Sequence, residues 1–140
     1  MAEIGDVLES FRSAGRTLFS LGLVRRAEGN LSTFDGRRLL ITRTGASLAD
    51  LGPGDVLEGT LATPPPDASS DLDDHVARYR RHGPGAIAHA HPAGTVPDEA
   101  AEGIPHGRYA HAPTLEGAVA ILVDGARAAG RERSKPGAAS

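Results

Sequence analysis

Two histidines separated by one residue close a short apolar run, Gly85-Ala86-Ile87-Ala88-His89-Ala90-His91-Pro92. If that run is a β-strand, both imidazoles project from one face, because side chains alternate with a period of two. Such a pair suits a shared metal ion; histidine is also often structural, and a bare H-x-H does not separate the two readings. Three further segments hold more glycine and polar character than packing needs. In Glu28-Gly29-Asn30-Leu31-Ser32, Gly29 lets backbone approach a ligand closely while Asn30 and Ser32 supply donors; an ordinary turn entering a strand reads the same way. Thr42-Arg43-Thr44-Gly45 offers hydroxyls, backbone N–H groups and a guanidinium, useful for a phosphate, or again only a turn. Ser69-Ser70-Asp71 stands before a helical pattern, where unpaired amides and the helix dipole favour an anion, and where Ser or Asp is a common N-cap. His75 lies four residues after Asp71 on the same helix face and is expected to be a half-exposed structural residue.

These segments need elements to hold them. Ile4, Val7, Leu8, Phe11, Leu18 and Phe19 follow helical spacing, which predicts an amphipathic helix over 3–20 with Gly22 as its stop. Runs 31–34 and 38–42 flank Asp35-Gly36-Arg37, a strong hairpin signal. Ser47-Leu48-Ala49-Asp50 begins at most a short helix before Gly52-Pro53-Gly54, and 55–60 reads as another strand. Pro64 to Ser70 is a loop, Leu72, Val76 and Tyr79 mark a second helix to about Arg81, and 86–91 is a short buried strand. Leu115, Ala118, Val119, Leu122, Val123 and Ala126 predict a third helix. Residues 1–129 form one domain and 130–140, without apolar periodicity, a frayed tail. The fold class is α/β or α+β, layered, with a largely antiparallel sheet.

Composition narrows the function. The 140 residues carry a net charge of -3 and no basic run, which argues against nucleic acid as a partner. With no cysteine, disulfide and thiolate chemistry are excluded. The acidic start and the lack of a long apolar segment predict a cytoplasmic protein without a signal peptide or membrane helix.

The order of the segments is more specific than any one of them: G-N-L-S, a D-G hairpin ending in I-T-R-T-G, an L-A-D-L-G-P-G-D turn, S-S-D before a helix with H-x-x-x-Y, then H-A-H-P. That succession resembles the class II aldolase and adducin family, in the arrangement of fuculose-phosphate and ribulose-phosphate aldolases and epimerases. The likeness covers about residues 5–95, and continues more loosely through Ile104-Pro105 and Tyr109 into the third helix. It implies a three-layer α/β/α fold, C-terminally truncated here, and a metal-dependent lyase that cleaves a small phosphorylated sugar by a retro-aldol reaction through an enediolate. By the same resemblance Gly29, Asn30, Thr44, Gly45, Ser69 and Ser70 cradle the substrate phosphate. Asp71 stands where the family has a catalytic Glu that moves a proton beside the carbonyl, and His89 and His91 are two of three ligands to Zn2+ or another divalent metal.

Two departures from the family pattern bear on activity. Asp71 is one methylene shorter than Glu, about 1.5 Å, and a misplacement of about 1 Å can cost on the order of a hundredfold in rate. The family's third histidine, in an N-H-G-like segment beyond the third helix, has no counterpart after Gly125-Ala126-Arg127-Ala128. His106 and His111 are the remaining candidates, each expected to face solvent; Asp71 or a residue of a neighbouring subunit are the others. Two histidines alone should bind metal weakly. A shortened sheet leaves an edge to be covered, which predicts a homo-oligomer, and the resemblance implies sites near subunit interfaces. The rival reading is a non-catalytic, adducin-like binding or assembly module that has lost a complete metal site. Epimerisation or decarboxylation through the same enediolate chemistry is a third.

Overall fold

The computed structural model describes residues 4–25, 28–91 and 108–134. Helix α1 spans Ile4–Ser20, and it buries Phe11, Ala14 and Leu18 at the three-and-four spacing that puts them on one stripe. Phe19, assigned to that stripe from its spacing, instead lies about 100° round the helix from Leu18 and is 46% exposed. Gly22 ends the helix as expected, in a left-handed conformation (φ 73°), with the Leu23 N–H donating to the Leu18 carbonyl at 2.9 Å.

Strands β1 (Asn30–Phe34) and β2 (Leu39–Thr42) form the expected hairpin. Asp35 Oδ1 accepts from the Arg37 and Arg38 amides at 2.9 and 2.6 Å, so the aspartate itself ties the turn. Two 3-10 turns, Leu48–Asp50 and Pro53–Asp55, lead into β3 (Val56–Gly59). After the Pro-rich loop come α2 (Leu72–His82), β4 (Gly85–Ala90), β5 (Arg108–Ala112) and α3 (Leu115–Ser134). The sheet order is β3-β2-β1-β4-β5, and every neighbouring pair is antiparallel.

Two features depart from the sequence expectation. Residues 108–112, to which the sequence assigned no element, form an edge strand: the run alternates Tyr109 and His111 with Ala110 and Ala112, but alanine is a poor strand former and only pairing with β4 settles it. Helix α3 continues through 130–134, part of the expected tail; Arg131, Glu132 and Arg133 are good helix formers even without apolar periodicity.

The pleat sorts the sheet into two faces. Leu31, Leu40, Ala86, Ala88, Ala90, Ala110 and Ala112 point towards α1 and α3 and share their core. The alanines of β4 and β5 keep that face shallow, so α3 lies close against it. Leu39 and Ile87 point the other way and pack on Tyr79, with Leu72 and Val76 of α2 beside them. The architecture is therefore a three-layer α/β/α sandwich on an antiparallel sheet, with α2 alone covering one face among the described elements.

Candidate active site

Strand β1 runs antiparallel to both of its neighbours, so its first residues lie beside the last residues of β2 and β4. Asn30 stands opposite His89, and the Leu31 N–H donates to Thr42 Oγ1 at 3.2 Å. A bridge between Arg43 and Ala68 brings the loop before α2 to the same end, with the Thr44 N–H on the Asp67 carbonyl (2.9 Å) and the Ser69 N–H on the Thr42 carbonyl (3.0 Å). All four polar segments of the sequence therefore meet at one end of the sheet. Gly29 makes the approach possible: its φ is +78°, and a Cβ there would lie 2.6 Å from Val24 Cγ1 and 2.7 Å from the His89 carbonyl oxygen.

Beneath this end, the face covered by α2 holds a chain of buried polar contacts. Residues two apart on β1, Asn30 and Ser32, face residues four apart on α2, His75 and Tyr79. The two rises match, roughly 6–7 Å for two strand residues and about 6 Å for four helical ones. The proton positions follow from the acceptors. Asp71 Oδ2 accepts from Asn30 Nδ2 at 2.7 Å, which fixes the amide and turns Asn30 Oδ1 towards His75. His75 must then donate from Nε2 to that oxygen. Burial leads in lowering the His75 pKa to about 3, so the ring is neutral and its Nδ1 is an acceptor. Ser32 Oγ donates to it at 2.6 Å and accepts from Tyr79 OH at 2.8 Å. His75, expected to be half exposed, has no accessible surface.

His89 Nδ1 donates to the same Asp71 oxygen at 2.9 Å. Its 3.4 Å contact with Asn30 Nδ2 follows from both donors converging on Oδ2; a bare Nδ1 would set a lone pair against the carboxylate. The hydrogen bond from His89 leads in holding the Asp71 carboxyl at about 2, with desolvation opposing it and Asn30 assisting. Tyr109 lies flat against the His89 ring, centroids 4.0 Å apart and planes within 10°. The His91 ring is 4.7 Å from that of His89, and the His91 N–H donates to the Leu23 carbonyl at 2.8 Å.

With Nδ1 committed to Asp71, His89 Nε2 is the nitrogen with the lone pair, and this buried atom has no hydrogen-bond partner among the described residues. That is the state a metal-ligating imidazole adopts, its other nitrogen held by a carboxylate. A buried nitrogen in this state, with a second imidazole beside it, fits a divalent cation. Among the described residues, however, no group of three His, Cys, Asp or Glu side chains gathers that could hold one.

The other site residues read from the sequence fall as follows. Thr44, Gly45 and Ser70 are exposed on the two bridged loops, while Ser69 is buried and its Oγ accepts from the Asp71 N–H at 3.2 Å. Asn30 is also in place, but both ends of its amide are taken up within the interior. His111 is not brought to the pair. It stands opposite Ile87, one pleat away from His89, half-buried rather than solvent-facing, with Nε2 3.2 Å from the Gly83 carbonyl oxygen. His106 lies outside the described residues. Tyr109 and Tyr79 contribute contacts that the motif spacing did not assign, and Ser32, read as a donor, gives its proton to His75; the H-x-x-x-Y spacing was the available signal for His75 with Tyr79, whereas Tyr109 entered only through the looser part of the family likeness, with no role.

A part-buried carboxylate on a buried imidazole, at the strand ends of a three-layer α/β/α sandwich and beside two hydroxyl-bearing loops, gives the domain a polar centre at one sheet end. The chain belongs to the class II aldolase and adducin N-terminal domain family, which it matches over residues 9–134. Among solved structures, the L-fuculose-1-phosphate aldolase of Thermus thermophilus is 39% identical, with 65% of this chain and 49% of that chain covered and a TM-score of 0.60. YgbL from Klebsiella pneumoniae is 30% identical over 64% of this chain and 46% of its own, with a TM-score of 0.57. YgbL from Escherichia coli, 16% identical, shares the fold over 95% of this chain and 92% of its own, with a TM-score of 0.74. The chain thus spans about half the length of the two more similar structures. No curated protein matches it.

Proposed function

We propose that this chain is a metal-dependent, aldolase-like lyase that cleaves a small phosphorylated sugar by a retro-aldol reaction through an enediolate. The observation that carries this reading is His89: a buried ring with Nδ1 held by Asp71 and Nε2 without a hydrogen-bond partner among the described residues. His89 and His91 would hold the ion, with the third ligand coming from outside the described residues or from another subunit. When bound, zinc or another divalent cation supplies a Lewis acid that polarises a carbonyl.

The chain's own residues do the rest. Asp71 is ionised at neutral pH, and its two side-chain hydrogen bonds both fall on Oδ2. Oδ1, which accepts none from a described residue, is the atom left to move the proton at the carbon beside the carbonyl. Gly29, Thr44, Gly45 and Ser70, with Ser69 and Asn30 buried behind them, cradle the phosphate; the support is that the bridge at Arg43 and Ala68 sets their loops side by side. The fuculose-phosphate aldolase among the similar structures supports a phosphosugar substrate.

Isothermal titration of zinc into metal-free protein tests the reading. Saturable binding lost in His89→Ala and in His91→Ala is expected, with turnover of fuculose 1-phosphate that falls by roughly 10²–10⁴ in Asp71→Ala. Absence of zinc binding in the wild-type protein would sink it. The second reading, a non-catalytic adducin-like binding module, draws on the engagement of Asp71 by His89 and Asn30. Robust turnover dependent on Asp71 removes that alternative.

A further inference from the structure

Asp71, Asn30, His75, Ser32 and Tyr79 form one connected path, and every donor along it points towards Asp71: Tyr79 to Ser32, Ser32 to His75, His75 to Asn30, Asn30 to the carboxylate. Nothing in packing requires that sense. A buried Ser, His and Asn could be satisfied with the donors reversed, but the carboxylate at one end accepts only. His75 sits at the point of control. Were its Nε2 to lose its proton, or the ring to be removed, the Asn30 amide could turn over. Asn30 would then present Oδ1 to Asp71 and His89, repelling the carboxylate and competing for the His89 Nδ1 proton.

We propose that His75, with Ser32 and Asn30, is a positioning assembly: a one-way hydrogen-bond chain that holds the Asp71 carboxylate on His89 Nδ1 and thereby leaves His89 Nε2 as the unprotonated nitrogen. None of the three touches a reacting atom in this assignment. Ser32 and His75 act through Asn30, Asn30 acts through Asp71, and Asp71 acts on His89. The purpose of the chain rests on the metal-site reading above; its existence does not.

The test is made on the metal-free, full-length chain by two-bond ¹H–¹⁵N correlation NMR of the histidine rings, followed by zinc titration. The wild-type protein should show His75 as the Nε2–H tautomer and His89 as the Nδ1–H tautomer. In His75→Leu, His89 should become a mixture of tautomers and zinc affinity should fall by roughly 10–100-fold, the usual cost of losing a group that orients a ligand. His75→Gln restores a donor where Nε2 stood, and should recover the His89 tautomer and most of the affinity. Ser32→Ala, which frees His75 to change tautomer, should give a smaller loss in the same direction. Where His75→Leu does not fold, by far-UV circular dichroism, the wild-type spectrum and Ser32→Ala decide. A wild-type His89 in the Nε2–H form overturns the proposal, as does a folded His75→Leu that keeps both the tautomer and the affinity. Expected tautomers with no zinc binding would leave the chain standing and remove the metal reading; zinc binding with the opposite tautomer would do the reverse.

Discussion

An N-cap aspartate ordinarily spends its carboxylate on the free amides of its helix, a contribution of about 1 kcal/mol. Asp71 holds that position on α2 and makes no such bond; its carboxylate turns to His89 and Asn30 instead. A residue placed to cap and diverted to a buried imidazole is one whose side chain is needed elsewhere. His75 gives this arrangement a measurable pH signature. Its folded pKa is lowered to about 3 from 6.5, chiefly by desolvation, with His89 and Arg78 adding to the shift and Asp71 opposing it. The unfolded chain therefore takes up this proton first as pH falls, so the stability contributed by neutral His75 is complete above about 6.5 and declines as pH drops towards 3. Asp71, lowered from 3.8 to about 2, contributes a loss in a more acidic window that meets the lower end of the His75 one. Between about pH 7 and pH 5, the urea midpoint of the wild-type protein should fall more steeply than that of His75→Gln; equal slopes would mean His75 is not buried neutral.

Between elements, the site depends on two coincidences of spacing: two residues of β1 against one turn of α2, and the start of β1 against the ends of β2 and β4. Gly29 keeps the second close. Gly29→Ala combines a left-handed backbone, which costs a non-glycine residue roughly 1–2 kcal/mol, with a Cβ inside contact distance of Val24 and the His89 carbonyl oxygen. A drop in stability of about 2 kcal/mol or more is expected by denaturant titration, together with weakened zinc binding because β4 is displaced at His89. A variant as stable as the wild type would show that this approach is not tight. At this level much was legible. The Asp35-Gly36 turn, the short apolar run of β4 and the Leu72-Val76-Tyr79 face carry their own physics. Strand β5 does not: its alanines pack against α3 and its Tyr109 against His89, and both reasons lie far away in sequence.

In the molecule as a whole, α2 alone covers one sheet face among the described elements, and β3 and β5 are edges among the described strands. Exposed edges favour pairing or cover by another chain, and the proposed metal site at His89 and His91 needs a third ligand. Sedimentation velocity should therefore give a mass above that of the 14.4 kDa chain, and the oligomer should tighten when zinc is added if a neighbouring subunit completes the site. A monomer with and without zinc would exclude a shared site. Among the described residues, no helix is long and apolar enough to cross a membrane.

The amino-acid sequence by itself determined the family, through the ordered segments from Gly29 to His91, and most of the elements, because hairpin chemistry and apolar periodicity are local properties. It also placed His89 and His91 on adjacent like-facing positions and Asp71 at a helix start. Only the tertiary structure decided what those groups do to one another. That His89 gives its Nδ1 proton to Asp71, that His75 is neutral and fully buried, and that Asn30 faces inward all depend on how α2 lies across β1 and β4. That His111 stays away from the pair depends on the register of β5. Hydrogen-bond direction and desolvation are set by partners up to 59 residues apart, and no local pattern encodes them.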